Sequence, residues 1–158
     1  MSSAELESAV RRLSDRVEIE ALMARYCRHA DQLDADGMAA CFTEDCVSYA
    51  PQPGKVALLA FLRAWLPGTR SSTHYVSNFE LSFEDADAAS VHCYMHSWTR
   101  RDRYPAIADA RRHGRYELRA VRTTQGWRFS HIRLITAGGY GGVPIGEQFG
   151  RPWPPHWE

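Results

Sequence analysis

A histidine held by a carboxylate moves protons readily near neutral pH. Imidazole titrates there, and the carboxylate fixes its tautomer and stabilises the imidazolium. The chain offers His74 for that task, at the start of Thr73-His74-Tyr75-Val76-Ser77-Asn78-Phe79-Glu80-Leu81, a segment that reads as a β-strand. Two carboxylates, Asp31 and Asp34, stand at the end of the first long helical pattern, and Tyr26 lies inside it. In that pattern Ile19, Leu22, Met23, Tyr26, Cys27, Ala30 and Leu33 recur at steps of three and four, the spacing of an amphipathic helix. Tyr26 falls near the centre of the apolar stripe. Asp31 lies about 100° from the centre and Asp34 closer to it, so periodicity does not choose between the two acids. Taken singly, each residue has a plain structural use: His74 as a core histidine, Tyr26 as a core aromatic, Asp31 bonded to backbone or to Arg28.

Other chemistries find less support. No serine or cysteine sits in a nucleophile-elbow motif, which argues against acyl transfer. Cys27, Cys41, Cys46 and Cys93 form no C-x-x-C pair and no cluster of zinc spacing, so free, buried, reduced thiols and no metal site are expected. His92 and His96 share a face of a strand-like segment but lie about 13 Å apart, too far to share a metal.

The elements that must position these groups run helices first and strands later. Helices are expected over 15–33, with Asp15 and Glu18 as a capping box, over a short segment from Asp36-Gly37 to Phe42, and over Lys55 to Leu66, stopped by Pro67-Gly68. Between the last two, Thr43-Glu44-Asp45 reads as a turn and residues 46–50 as a short strand. Strands follow over 73–83, 89–100, 114–124 and 126–137, with a charged loop at 101–113 and an irregular Gly-, Pro- and Trp-rich tail at 138–158. Arg111-Arg112, His29 and His113 read as solvated. His92, Tyr94 and His96 alternate with Cys93 and Met95, and the pattern does not say which set faces inward. The implied architecture is α+β: three N-terminal helices on a curved, mostly antiparallel sheet, enclosing a pocket within one domain spanning 1–158.

The 158 residues are 44% apolar and 24% charged, with Lys plus Arg and Asp plus Glu both 19. Zero net charge argues against a nucleic-acid or membrane-surface partner. No apolar run approaches the roughly 20 residues that span a bilayer, and Met1 to Arg12 has no apolar core of a signal peptide, so a cytoplasmic protein is expected.

This order and these residues resemble the SnoaL-like branch of the nuclear-transport-factor-2-like superfamily. The resemblance rests on Tyr26-x4-Asp31, Phe42-x2-Asp45, Thr73-His74-Tyr75 with Asn78, Gly114-x-Tyr116 and Gly126-Trp127-Arg128-Phe129. It implies a cone-shaped sheet with helices closing its mouth. It also implies that Asp31 pairs with His74 as the base or acid of an elimination, as in the dehydratases and dehydrochlorinases of the branch. Tyr26 and Tyr49 match tyrosines that assist there. Tyr116, Asn78, His96 and Trp98 are carried over as substrate-binding candidates, while Ser97 stands near where one relative has a second catalytic aspartate. The expected function is a cofactor-independent dehydratase-like lyase on a hydrophobic polyketide, steroid or aromatic molecule, with a cyclase or isomerase as the alternative. A homotrimer is implied, or else a dimer. A non-catalytic binding protein, or an assembly subunit of a larger iron-containing enzyme, would use the same fold without the dyad.

Overall fold

The computed structural model describes residues 1–101 and 109–140. The elements run α1 (Ser3–Asp31), α2 (Ala35–Ala40), β1 (Phe42–Val47), α3 (Lys55–Trp65), β2 (Thr69–Phe83), β3 (Ala88–Arg101), β4 (Asp109–Thr123) and β5 (Gly126–Tyr140). The strands form one open sheet in the order β1-β5-β4-β3-β2. Its short β1 edge runs parallel to β5 and every other pairing is antiparallel. The α+β class expected from the helix-then-strand order is the observed one.

Alternation along the strands buries one face. Ala89, Val91, Cys93, Met95 and Ser97 of β3 point inward, as do Gly114, Tyr116, Leu118 and Ala120 of β4. Against them α1 lays Ile19, Leu22, Met23, Tyr26 and Cys27, and α3 lays Leu58 and Leu62. Phe42 and Phe129, both fully buried, pack with ring centroids 5.8 Å apart where β1 meets β5. The inward set of β3 is therefore the Cys93–Met95 set, and His92, Tyr94 and His96 turn outward.

The inward phase of β2 changes part-way along, and Asn78 is the device. It sits exposed at φ 55°, where the β2–β3 register slips between Ser77 and Glu80. Before it His74 and Val76 share a face; beyond it Phe79, Leu81 and Phe83 are the half-buried residues packed toward the core. Such a bulge bends the strand and re-aims its side chains. Asn tolerates the left-handed region that a β-branched residue avoids. Asn78→Val is therefore expected to cost about 1–2 kcal/mol and Asn78→Gly almost nothing. Thermal melts check this, and a Val variant melting with the wild type would contradict it.

Several expected boundaries move. α1 begins at Ser3, where Ser2 and Glu5 form the capping box, and Asp15 is an interior helical residue, buried at 5% exposure. The first part of α1 shows no apolar burial stripe: Leu6, Val10, Leu13 and Val17 are all exposed. Asp34, not Asp36, caps α2. Thr43-Glu44-Asp45 belongs to β1 rather than to a turn. Residues 109–113 extend β4 into the expected loop, and 138–140 belong to β5; the rest of the expected tail, 141–158, and 102–108 lie outside the described residues.

Candidate active site

The end of α1 and the start of β2 meet at one point, where Asp31 and His74 touch. His74 Nδ1 lies 2.7 Å from Asp31 Oδ1, and the His74 backbone N–H donates to Asp31 Oδ2 at 3.1 Å. Both carboxylate oxygens are thus spent on one residue, which fixes ring and backbone together. A carboxylate accepts only, so Nδ1 carries the proton and Nε2 is left as the basic nitrogen of the neutral ring. The pair is shielded, with 17% of the His74 side chain exposed and 29% of Asp31. The Ser72 hydroxyl lies 3.5 Å from the same Nδ1.

The rival acid is occupied elsewhere. Gln32 caps the C-terminus of α1, Leu33 takes φ 58°, and the Asp34 backbone N–H donates to the His29 carbonyl at 2.9 Å. This reversal places the Asp34 side chain at the start of α2. There Oδ1 accepts from the Gly37 N–H and Oδ2 meets His29 Nδ1, each at 2.9 Å. The Gly37 hydrogen bond and His29 hold the Asp34 carboxyl below its usual range. His29, expected in solvent, is therefore a partner in the helix junction.

His74 lines a cavity between α3, the end of α1 and the sheet, with about 580 Å³ of empty space, its open mouth included. Its walls are mainly apolar, with Phe61 and Trp65 from α3, Leu66 just after it and Leu134 from β5. Tyr26, Tyr49, Tyr116, Arg112, Thr69 and Ser72 join His74 in bringing polar groups to it. The Tyr26 and Tyr49 hydroxyls are 2.9 Å apart. Burial first, and then the neighbouring hydroxyl, pushes Tyr26 far above the usual phenol range; burial likewise raises Tyr49 and Tyr116. These three rings are neutral hydrogen-bonding groups at physiological pH. Tyr26 and Tyr116 meet edge to face with centroids 6.2 Å apart, so packing holds the hydroxyl-bearing ring of α1 against β4.

Tyr26, Tyr49, His74 and Tyr116 thus come together, with Asp31 directly behind His74. His96, Trp98 and Asn78 do not join them. His96 is exposed on the outer face of the sheet, stacked on His113 at 4.3 Å between centroids and close to Tyr75. Trp98 shares the outward parity of His96, and Asn78 is the exposed bulge residue. Strand phase places these three, expected as substrate-binding residues, outside the lining of this cavity. Ser97 holds the inward place between His96 and Trp98, 4% exposed. Arg112, expected as a loop charge, is an inward-facing residue of β4 that lines the cavity. Its parity with Tyr116 was the signal that could have found it.

All four cysteines are buried and free. Burial pushes the Cys27 and Cys93 thiols up to about 12, which removes them from thiolate chemistry near neutral pH. Among the described residues, no group of three His, Cys, Asp or Glu side chains is gathered as a metal site would need. Among those same residues, no helix is long and apolar enough to cross a membrane.

A SnoaL-like domain model matches residues 11–133. No protein with a curated description matches the chain significantly in sequence. Among solved structures, a candidate scytalone dehydratase from Novosphingobium aromaticivorans aligns with a TM-score of 0.79 at 27% identity, covering 85% of this chain and 92% of that one. A candidate aromatic ring hydroxylase from the same organism aligns at 0.76 and 24% identity, covering 82% and 94%. Hexachlorocyclohexane dehydrochlorinase LinA-type3 from Novosphingobium barchaimii LL02 aligns at 0.71 and 17% identity, covering 85% and 96%. The two similarities below 25% identity speak to fold alone, and they return the same helices-on-sheet cone. The family match itself runs from the middle of α1 to β5, through every element that supplies the cavity, and on that match the chain belongs to the SnoaL-like domain family.

Proposed function

We propose that the protein is a cofactor-independent lyase of the dehydratase type, acting on a hydrophobic, oxygenated small molecule. The observation that carries this reading is the 2.7 Å contact between Asp31 Oδ1 and His74 Nδ1 on a ring that also lines a cavity. Such a ring presents Nε2 as a base, and the mainly apolar walls suit a hydrocarbon frame. The structural relative at 27% identity is named for the removal of water, which agrees with an elimination begun by a base.

In this reading, Nε2 takes a proton from the carbon next to a carbonyl. The Tyr26–Tyr49 hydroxyl pair donates one hydrogen bond outward and stabilises the enolate oxygen. Tyr116 borders the bound molecule. The C–O bond to a β-hydroxyl then breaks, the imidazolium returns its proton to the departing oxygen, and water leaves. Asp31 stays ionised and stabilises the imidazolium between the two transfers. The same proposal takes the protein to be a cytoplasmic homo-oligomer, a trimer before a dimer, with no nucleic-acid or membrane partner.

The test is to incubate the wild-type protein with a panel of cyclic β-hydroxy-ketones in deuterated water and follow proton NMR. The expected result is growth of the conjugated enone signal with release of the hydroxyl. Deuterium entering the α-position while the hydroxyl remains would favour the isomerase or cyclase alternative, which shares the first proton transfer. Neither exchange nor elimination across the panel would sink the proton-abstraction reading and favour a binding protein.

A further inference from the structure

Three inward-facing residues lie directly opposite one another across three strands. His74 of β2 pairs with Ser97 of β3, and Ser97 pairs with Arg112 of β4. Adjacent strands are about 4.8 Å apart, so the His74 and Arg112 backbones stand roughly 10 Å apart with their side chains on the same face. Ser97 between them is small and almost fully buried, so no large side chain of β3 stands between the other two. Gly139, opposite Arg112 on β5, contributes no side chain. The floor of the cavity therefore carries an imidazole at one end and a guanidinium at the other.

Among the described residues, that guanidinium has no counter-charge within ion-pair distance. Arg115, Arg119 and Arg122 of the same strand each meet a carboxylate. The Arg112 side chain, among the described residues, makes no hydrogen bond or ion pair, and its inward neighbour Tyr116 is held neutral by burial. Arg101, whose guanidinium lies 4.5 Å from the Trp65 ring centroid at the cavity wall, adds like charge nearby. Burial is the main influence lowering Arg112 from the usual guanidinium range, with Arg101 acting in the same direction. A cation partly withdrawn from water with nothing to pair is unfavourable, and an arriving anion relieves it. The planar fork of Arg suits a carboxylate, which it can hold by two parallel hydrogen bonds.

We propose that Arg112 is a substrate-binding residue selecting molecules that carry a carboxylate on an otherwise apolar frame, with the carboxylate at the Arg112 end of the row and the reacting carbon at the His74 end. The placement of the reacting carbon rests on the proton-abstraction reading; the carboxylate preference does not. The bland alternative is that Arg112 covers the cavity wall with its aliphatic stem while its head stays in water. That alternative gives no preference between charged and neutral ligands.

Isothermal titration with 2-naphthoate and its methyl ester separates the two. The wild-type protein is expected to bind 2-naphthoate at least about tenfold more tightly than the ester, as a charge-assisted hydrogen bond to a carboxylate implies. Arg112→Met, which keeps most of the stem, should abolish that preference by weakening 2-naphthoate about 10- to 100-fold while leaving the ester unchanged. Arg112→Lys should retain part of it. His74→Ala should keep the full preference, so loss of turnover with the preference intact marks failure at the other end of the row only. Equal binding of acid and ester by the wild type, or no detectable binding of either, overturns the proposal without any variant. So does a folded Arg112→Met protein that keeps its preference for the acid.

Discussion

Asp31→Asn is expected to lower turnover about 10²- to 10⁴-fold while the fold survives, although the change is only one atom type on one side chain. The reason lies in how the two carboxylate oxygens are used. Oδ2 accepts from the His74 backbone N–H, which can only donate, and Oδ1 accepts from the ring. An amide has one acceptor and one donor. Its oxygen must serve the backbone, so its NH₂ must face Nδ1. That arrangement turns Nδ1 into an acceptor and moves the ring proton to Nε2, the nitrogen proposed to act as the base. The base is then blocked by its own proton, and no anion remains to steady the imidazolium. His74→Ala should lose a comparable factor by removing the base outright. The double variant should lose little more than either single one, because the two residues act as one unit. The measurement is kcat on whichever hydroxy-ketone the panel selects, with far-ultraviolet circular dichroism to show that each variant is folded. An Asp31→Asn enzyme within about threefold of the wild type would mean that the contact is structural. Additive losses in the double variant would mean that the two residues act separately.

What the sequence made legible was whatever the alternation of apolar residues controls. The stripe from Ile19 to Ala30 locates the packed half of α1. The strands from Thr73 onward are close to their observed positions, because each has one buried face. What alternation cannot reach went unseen. The first turns of α1 bury nothing, so only the Ser2–Glu5 capping box marks them. Asn78 shifts the phase of β2 by one residue, and a polar residue at φ 55° looks like any other until the register is known. The facing of His96 and Trp98 stayed open for a related reason. They flank an inward serine, and a buried serine between two large side chains gives no hydrophobic signal. Arg112 was lost by the converse error, since a charged residue beside another arginine suggests solvent, while strand parity with Tyr116 puts it in the cavity. Asp31 and His74 could be singled out only by resemblance, because residues 43 positions apart leave no local trace of their contact.

Asp15→Ala is expected to destabilise the protein by about 3 kcal/mol, which for a domain of this size lowers the melting temperature by roughly 6–12 °C. Asp15 is the one buried carboxylate of α1, and it receives two donors from the far end of the sheet: Arg122 of β4 and the Trp127 indole N–H of β5, the latter at 3.4 Å. Arg122 is itself held on three sides. Its Nε donates to Asp87 at 3.0 Å, its backbone N–H donates to the Asp87 carbonyl at 2.8 Å, and its guanidinium lies 4.6 Å from the Trp127 ring centroid. The cluster therefore ties α1 to the turn before β3 and to the β4–β5 hairpin. Asp31, sixteen residues further along the same helix, depends on that anchor for its angle to the sheet. Truncation would leave the indole N–H, on a tryptophan only 2% exposed, without its acceptor. It would also leave Asp87, largely in water, as the one carboxylate still paired with Arg122 among the described residues. Unmet buried donors of this kind cost more than the pair contributes when intact. Arg122→Met alone should cost less, because its head is partly exposed and Asp15 keeps the indole. Thermal melts of the two single variants and the double variant give the coupling, expected near 1–2 kcal/mol. A melting temperature for Asp15→Ala within about 2 °C of the wild type would show that the cluster is dispensable. The tilt of α1, and with it the Asp31–His74 contact, would then have to be set by the apolar stripe alone.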